Sequence, residues 1–348
     1  MKNRINLSTF NIRTDLVIDN EIKDNHIDKK RINDNISVIN INVNNELGIE
    51  LNKKVGNYIT IEFSDATNYE DSKEIIEVLN NELIKLLRKK KIKDTDTCLV
   101  LGLGNRFSTA DSLGPITLDK IMITRHLFKL NTNVKEGIRE VSGISPGVMA
   151  NTGIETFDII DSLISKIKPN FLMVIDALAS SSIERINKTI QITDTGIHPG
   201  SGIGNNRKEI SYDTIGIPVI AIGVPTVVES STLVSDTINY IFSHISYIKN
   251  NYDINKLTFF HRDTKKYLEV LKQQNLNNEE KKELSGILGS LDEEKKRELI
   301  VEVLNSINYN MIVTPKEIDF LIDKLSIIIA SAINKSLHKS VTNNIFLK

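Results

Sequence analysis

The sequence predicts an α/β fold: a mainly parallel sheet with helices on both faces, a small N-terminal β subsheet and a helical C-terminal region. Three observations lead there. Short unbroken apolar runs occupy 98–101, 171–175 and 218–222, ending at Gly102, Asp176 and Gly223. Helical periodicity lies between or after them, at about 113–129, 154–167 and 231–248. Upstream, 39–43 and 58–63 alternate apolar and polar residues. Unbroken apolar runs suit strands covered on both faces, whereas alternation suits strands with one wet face.

Residues 1–35 are polar without sustained periodicity and read as a loosely docked N-terminal segment. Between 70 and 90, Ile75, Ile76, Leu79, Leu83, Leu86 and Leu87 fall on one helical face. The α/β core is placed at 95–250, preceded by N-terminal strands and a helix at 16–94 and followed by a helical region at 251–348. In that last region Ser290-Leu291-Asp292-Glu293 and Thr314-Pro315-Lys316-Glu317 fit capping boxes.

Composition sets the frame. The chain has 348 residues, 40% hydrophobic and 26% charged, with a formal net charge of -1. That balance suits a globular core and gives no electrostatic reason to expect a nucleic-acid or membrane partner. Cys98 is the single cysteine, which rules out an internal disulfide and suits a reducing, cytoplasmic setting. The basic start Met1-Lys2-Asn3-Arg4 has no apolar stretch behind it, so no signal peptide is expected.

Open α/β sheets react at the carboxyl ends of their strands. Asp176 directly follows the run 171–175, and Asp111 lies in the loop after 98–101, just before a helix. On neighbouring strands, about 4.8 Å apart, the two carboxyls would face one water. Like charges at short range do not both ionise easily, which yields an acid and a base in one site. The alternative reading makes Asp111 a helix N-cap and Asp176 a turn acid. His198 sits in the glycine-rich stretch Gly196-Ile197-His198-Pro199-Gly200, as an auxiliary, a substrate contact, or a loop histidine bonded to backbone. Arg207 and Lys208 are a solvated pair or a contact for an acidic substrate side chain. Asn105, after Gly102-Leu103-Gly104, is grouped with these auxiliary residues.

Other motifs fail on their chemistry. The dinucleotide fingerprint needs a third glycine where Phe107 stands. Gly143-Ile144-Ser145-Pro146-Gly147 has the letters of a nucleophile elbow, but Pro146 has no N–H for an oxyanion. No histidine begins an HExxH zinc motif.

Taken in order, several strings resemble the germination protease family of spore-forming Firmicutes. They are Leu7-Ser8 with Ile12-Arg13-Thr14-Asp15-Leu16, Leu101-Gly102-Leu103-Gly104-Asn105, Ile123-Thr124-Arg125-His126-Leu127-Phe128, and Pro146-Gly147-Val148-Met149 with Thr152-Gly153-Ile154-Glu155-Thr156. Ile175-Asp176-Ala177-Leu178-Ala179, Gly196 to Gly202, Arg207 to Tyr212, and Val313-Thr314-Pro315-Lys316-Glu317 complete the set. The sequence departs from the family around 250–265, where the link looks short.

The resemblance implies an endopeptidase that opens the breakdown of small acid-soluble spore proteins during germination, in the cytoplasm of the spore core. It implies a homotetramer, and a zymogen whose propeptide, 1–15, is removed between Asp15 and Leu16. It also implies that Asp111 and Asp176 are the essential acids. Cuts after an acidic residue need a cation, for which Arg106, Arg139, Arg207 and Lys208 are the candidates. The G-x-G-N…D and I-D-A strings are similar to hydrogenase maturation peptidases too, which sets the comparison for the fold. There a metal-dependent reading would make Asp111, Asp176 and His198 ligands. No cofactor is otherwise expected. A third reading is a non-enzymatic α/β protein binding an anion.

Overall fold

The computed structural model describes residues 14–20, 22–23, 26–130, 133–200, 207–250 and 264–341. Most of the proposed propeptide, residues 201–206 and most of the span 250–265 lie outside the described residues.

Among the described residues nine strands form one sheet: β1 Ile27–Arg31, β2 Ile36–Val43, β3 Gly56–Phe63, β4 Cys98–Gly102, β5 Val141–Ile144, β6 Phe171–Ser180, β7 Thr189–Thr193, β8 Val219–Glu229 and β9 Ile312–Val313. Their order is β1-β2-β3-β7-β8-β6-β4-β5, with β9 on β8. β4 pairs in parallel with β5 and β6. β1, β2, β3 and β7 pair antiparallel in succession. The predicted N-terminal subsheet is therefore the antiparallel end of the same sheet. β1 escapes a periodicity reading because four of its five residues are exposed at the sheet edge, where no buried face imposes alternation.

The chain divides into two compact units, one of Arg13–Val227 with Thr314–Lys348, the other holding Val228–Val313. In the first, alternate residues of the parallel strands feed opposite faces. Val100, Met173 and Ile175 pack in one cluster with Leu79 and Leu83 of helix Tyr69–Lys89 and Leu325 and Ile329 of helix Ile318–Leu337. Leu99, Leu101, Leu172 and Val174 pack in another with Phe157 and Ile160 of helix Thr156–Ile167. A third cluster joins Val17 to Ile39, Ile41 and Val43 of β2.

The helical span predicted at 113–129 is two helices, Leu113–Leu118 and Arg125–Lys129. The chain between them is held by other partners, since the Met122 N–H donates to Asn334 Oδ1 at 2.8 Å. Neither predicted capping box forms. Asp292 caps Glu293–Ser306 by accepting from the Lys295 N–H, and the Thr314 hydroxyl donates to the Thr226 carbonyl instead. In the second unit the capping box is Asn277 with Glu280.

Candidate active site

Backbone close approach builds the Asp111 side. After β4 the chain turns through Gly104, whose φ of +107° belongs to glycine. A Cβ there would lie 2.1 Å from the Asp111 carbonyl oxygen and 3.0 Å from its Oδ1. Gly114 is held as tightly, with a Cβ 2.1 Å from the Leu103 carbonyl and 2.6 Å from that of Ile175. These contacts press the loop onto the end of β4. The Asn105 N–H then donates to both the Asp111 carbonyl and its Oδ2, at 2.9 and 2.8 Å. Thr226, buried on β8, donates to the Ala110 carbonyl at 2.7 Å and fixes the loop from the other side.

Asp176 is not the residue after a strand, as its sequence position suggests, because β6 continues through it to Ser180. The strand outlasts its β4 partner, whose last pairing is Gly102 with Ile175. Asp176 is 5% exposed, and its Oδ1 accepts from the Ala177 N–H at 2.9 Å. Burial, then the charges of Asp111 and Asp15, push its pKa well above the carboxylate range, against the opposing pull of the Ala177 N–H and Arg207. Burial also raises Asp111, opposed by the Asn105 N–H and Arg207. The Asp111 charge thus acts on Asp176, which is the more strongly raised of the two.

A segment of the chain's own N-terminus lies beside them. The Asp15 N–H donates to the Ala179 carbonyl at 3.1 Å, and the Ala179 N–H donates to Asp15 Oδ2 at 2.9 Å. Leu16 is extended and fully buried. Asp19 anchors the adjoining turn, accepting from Ser180 Oγ at 2.9 Å, the Ser181 N–H at 2.7 Å and Arg185 Nη1 at 2.6 Å. Gln191, buried on β7, accepts from the Val17 N–H at 2.8 Å and donates to the Asp15 carbonyl at 3.3 Å. Lys53 Nζ donates to the Thr14 and Asp15 carbonyls at 3.2 and 3.4 Å.

The remaining candidates separate. Arg207 acts electrostatically on both aspartates. Lys208 lies over the Phe157 ring, 3.7 Å from its centre. His198 Nε2 is 3.3 Å from Glu209, brought there by the bridge between Ile197 and Ile210, and Glu209 also pairs with Lys54. Asn105 orients Asp111 through its backbone, while its Oδ1 accepts from the Phe107 N–H and Asn151 Nδ2 at 3.0 and 2.8 Å. Arg106 is paired with Asp119, and Arg139 donates to the carbonyls of Lys93, Asp96 and Leu337. Among the described residues no group of three or more His, Cys, Asp or Glu is arranged to hold a metal ion. Lys53 and Gln191 escaped the sequence reading. Lys53 follows Asn52 in a turn and looks like one of a solvated lysine pair, and Gln191 gives no signal beyond being polar between Ile190 and Ile192.

Two carboxyls of raised pKa, Asp176 buried and Asp111 half-buried, thus lie at the ends of the parallel strands beside the extended Asp15–Leu16 segment. Comparison with known proteins identifies the chain as a peptidase. The family model for germination protease matches residues 11–346. Germination proteases from Bacillus subtilis strain 168 and Geobacillus sp. strain WCH70 are each 42% identical, with 98% of this chain and 97% of theirs covered. That of Oceanobacillus iheyensis is 44% identical, with 95% of each chain covered. The chain belongs to the germination protease family. A solved [NiFe] hydrogenase maturation protease from Thermococcus kodakarensis KOD1 is similar over 40% of this chain and 80% of its own, at 16% identity and a TM-score of 0.26.

Proposed function

We propose that this chain is an endopeptidase that begins the degradation of small acid-soluble spore proteins during germination. It is made as a zymogen that removes residues 1–15 itself, and it cuts with water activated by Asp111 and Asp176. The observation that carries this reading is Asp176: a carboxyl inside a strand, raised first by its burial and then by the charges of Asp111 and Asp15.

The division of labour follows from the two environments. Asp111, with the Asn105 N–H and Arg207 favouring its charged form, takes a proton from water as the water oxygen attacks the peptide carbonyl carbon. Asp176, held protonated by burial, gives its proton to the departing nitrogen as the C–N bond breaks. The pair ends the turnover with the proton on the other carboxyl, and exchange with solvent resets it. The docked Asp15-Leu16 segment supports self-processing, with an acid before the bond and a buried apolar side chain after it.

Assembly as a homotetramer in the cytoplasm of the spore core belongs to the same reading. In the second unit Ile241, Ile287, Val303, Ile307, Tyr309 and Met311 are each more than half exposed, which suits contacts between copies. No helix among the described residues is long and apolar enough to cross a membrane.

Mass spectrometry of the purified full chain tests the reading. The wild type should yield a new N-terminus at Leu16 and cleave an unstructured peptide after its acidic residue, and the Asp176→Asn protein should stay full length. Equal trimming of both proteins would overturn it.

A further inference from the structure

We infer that Lys53 and Gln191 form the subsite that recognises the acidic residue before the cut and holds its carbonyl oxygen. The inference rests on the reading of Asp15–Leu16 as a substrate-like junction. It goes further by assigning the contact to residues outside the strand ends.

Both atoms of the Asp15–Leu16 amide are held. Its carbonyl oxygen accepts from Lys53 Nζ at 3.4 Å and Gln191 Nε2 at 3.3 Å. Its N–H donates to Thr14 Oγ1 at 3.1 Å, whose hydroxyl in turn donates to Asp19. Gln191 also accepts from the Val17 N–H, so one side-chain amide spans the junction and fixes its register. Two donors converging on one carbonyl, one of them cationic, are placed where negative charge gathers as water adds to the carbon. The bonds are at the long end for a ground-state peptide and have room to shorten onto an oxyanion.

The acid specificity comes from the same lysine. Asp15 and Asp19 both act electrostatically on Lys53, opposing the burial that disfavours its charge. Several other cations of this unit are engaged elsewhere: Lys54 with Glu209 and Asp213, Lys90 with Asp194, Arg185 with Asp19, and Arg106 with Asp119, while Arg207 acts on Asp111 and Asp176. The Ala179 N–H supplies the neutral part of the carboxylate contact. An uncharged Asn before the cut would keep that hydrogen bond and lose the attraction to Lys53.

The test uses the full chain and two unstructured peptides that differ only in Asp or Asn before the scissile bond. Wild type should favour the Asp peptide in kcat/KM by at least about tenfold, the value of one charge-assisted contact. Lys53→Met should cut both peptides at similar, lowered rates, Lys53→Arg should restore the preference, and Gln191→Leu should lower kcat about 100-fold for both peptides. As a check that leaves Lys53 untouched, Asp15→Asn should slow self-processing by tenfold or more. An undiminished Asp preference in Lys53→Met, or an Asp15→Asn chain that processes at the wild-type rate, overturns the inference while leaving the peptidase reading intact. A wild-type chain that cuts neither itself nor either peptide overturns both.

Discussion

Replacing Asp176 by Asn should move activity and stability in opposite directions. The amide keeps the carboxyl's shape and can still accept from the Ala177 N–H, but it cannot donate a proton as an acid. One positioned acid or base contributes about 10²–10⁴ in rate. Peptide cleavage should therefore fall at least about 100-fold, a barrier higher by about 2.7 kcal/mol. Stability at neutral pH should rise, because the 5% exposed carboxyl is held from ionising by burial and by the charges of Asp111 and Asp15. In the unfolded chain Asp176 loses its proton near the ordinary carboxylate value, and in the folded chain it keeps the proton longer. The folded state then binds more protons between the two values, so the wild type loses stability as pH rises through that window. Below about pH 4 both proteins should melt together. Above it the variant should melt progressively higher, until the folded Asp176 has itself ionised. Each pH unit of that window is worth about 1.4 kcal/mol, and 1 kcal/mol is about 2–4 °C in a chain of this order of size. Circular-dichroism melting from pH 4 to 8, beside a peptide assay at pH 7, reads both effects. A variant that melts lower at pH 7, or a gap independent of pH, would refute the role of burial. Retained activity would refute the pair.

Asp111→Asn should also lose at least about 100-fold in peptide cleavage, with a smaller stability gain at neutral pH because the Asn105 N–H and Arg207 oppose its raised pKa; equal melting gains in the two variants would contradict that ordering. Gly104→Ala should cost about 2–5 kcal/mol from overpacking and backbone strain, since its Cβ meets the Asp111 carbonyl at 2.1 Å, and urea titration with an activity assay should find stability and cleavage both reduced. Asp19→Ala should cost about 2–4 kcal/mol, somewhat below a fully buried pair because the Arg185 side chain is 25% exposed. It should also slow the appearance of the Leu16 N-terminus in a mass-spectrometric time course. Dialysis against a strong chelator, followed by metal analysis, should leave cleavage unchanged, and loss restored by one added metal would make Asp111 and Asp176 ligands.

The parallel half of the sheet was legible because its strands are covered on both faces, so 98–101 and 171–175 carry unbroken apolar runs that little else produces. Those runs also brought Asp111 and Asp176 to attention. The run stops at Asp176 although the strand does not, because one buried carboxyl interrupts the hydrophobic signal without interrupting the ladder. β1 was hidden for the converse reason, as an edge strand with almost no buried residue. Lys53 and Gln191 were illegible on different grounds. Their partner is the N-terminal segment, more than a hundred residues away for Gln191, and nothing local distinguishes a lysine facing a carbonyl from one facing water. His198 drew attention through its glycine-rich surroundings, and its contact is with Glu209 across an isolated bridge.

β6 runs on past its last pairing with β4, and there Ala179 offers both its carbonyl and its N–H to the residue before the proposed cut. A chain taking that place has to be stretched out, with its own amide groups released from any helix or hairpin. On the proposed reading, recognition filters by conformation before it reads sequence. An acidic residue within a stable helix is invisible until that helix opens, and every 1.4 kcal/mol of opening free energy lowers the cleavable population about tenfold. A resting cell's folded proteins, each opening locally at a cost of about 5 kcal/mol, would be spared by between three and four orders of magnitude relative to a chain that has just lost its structure.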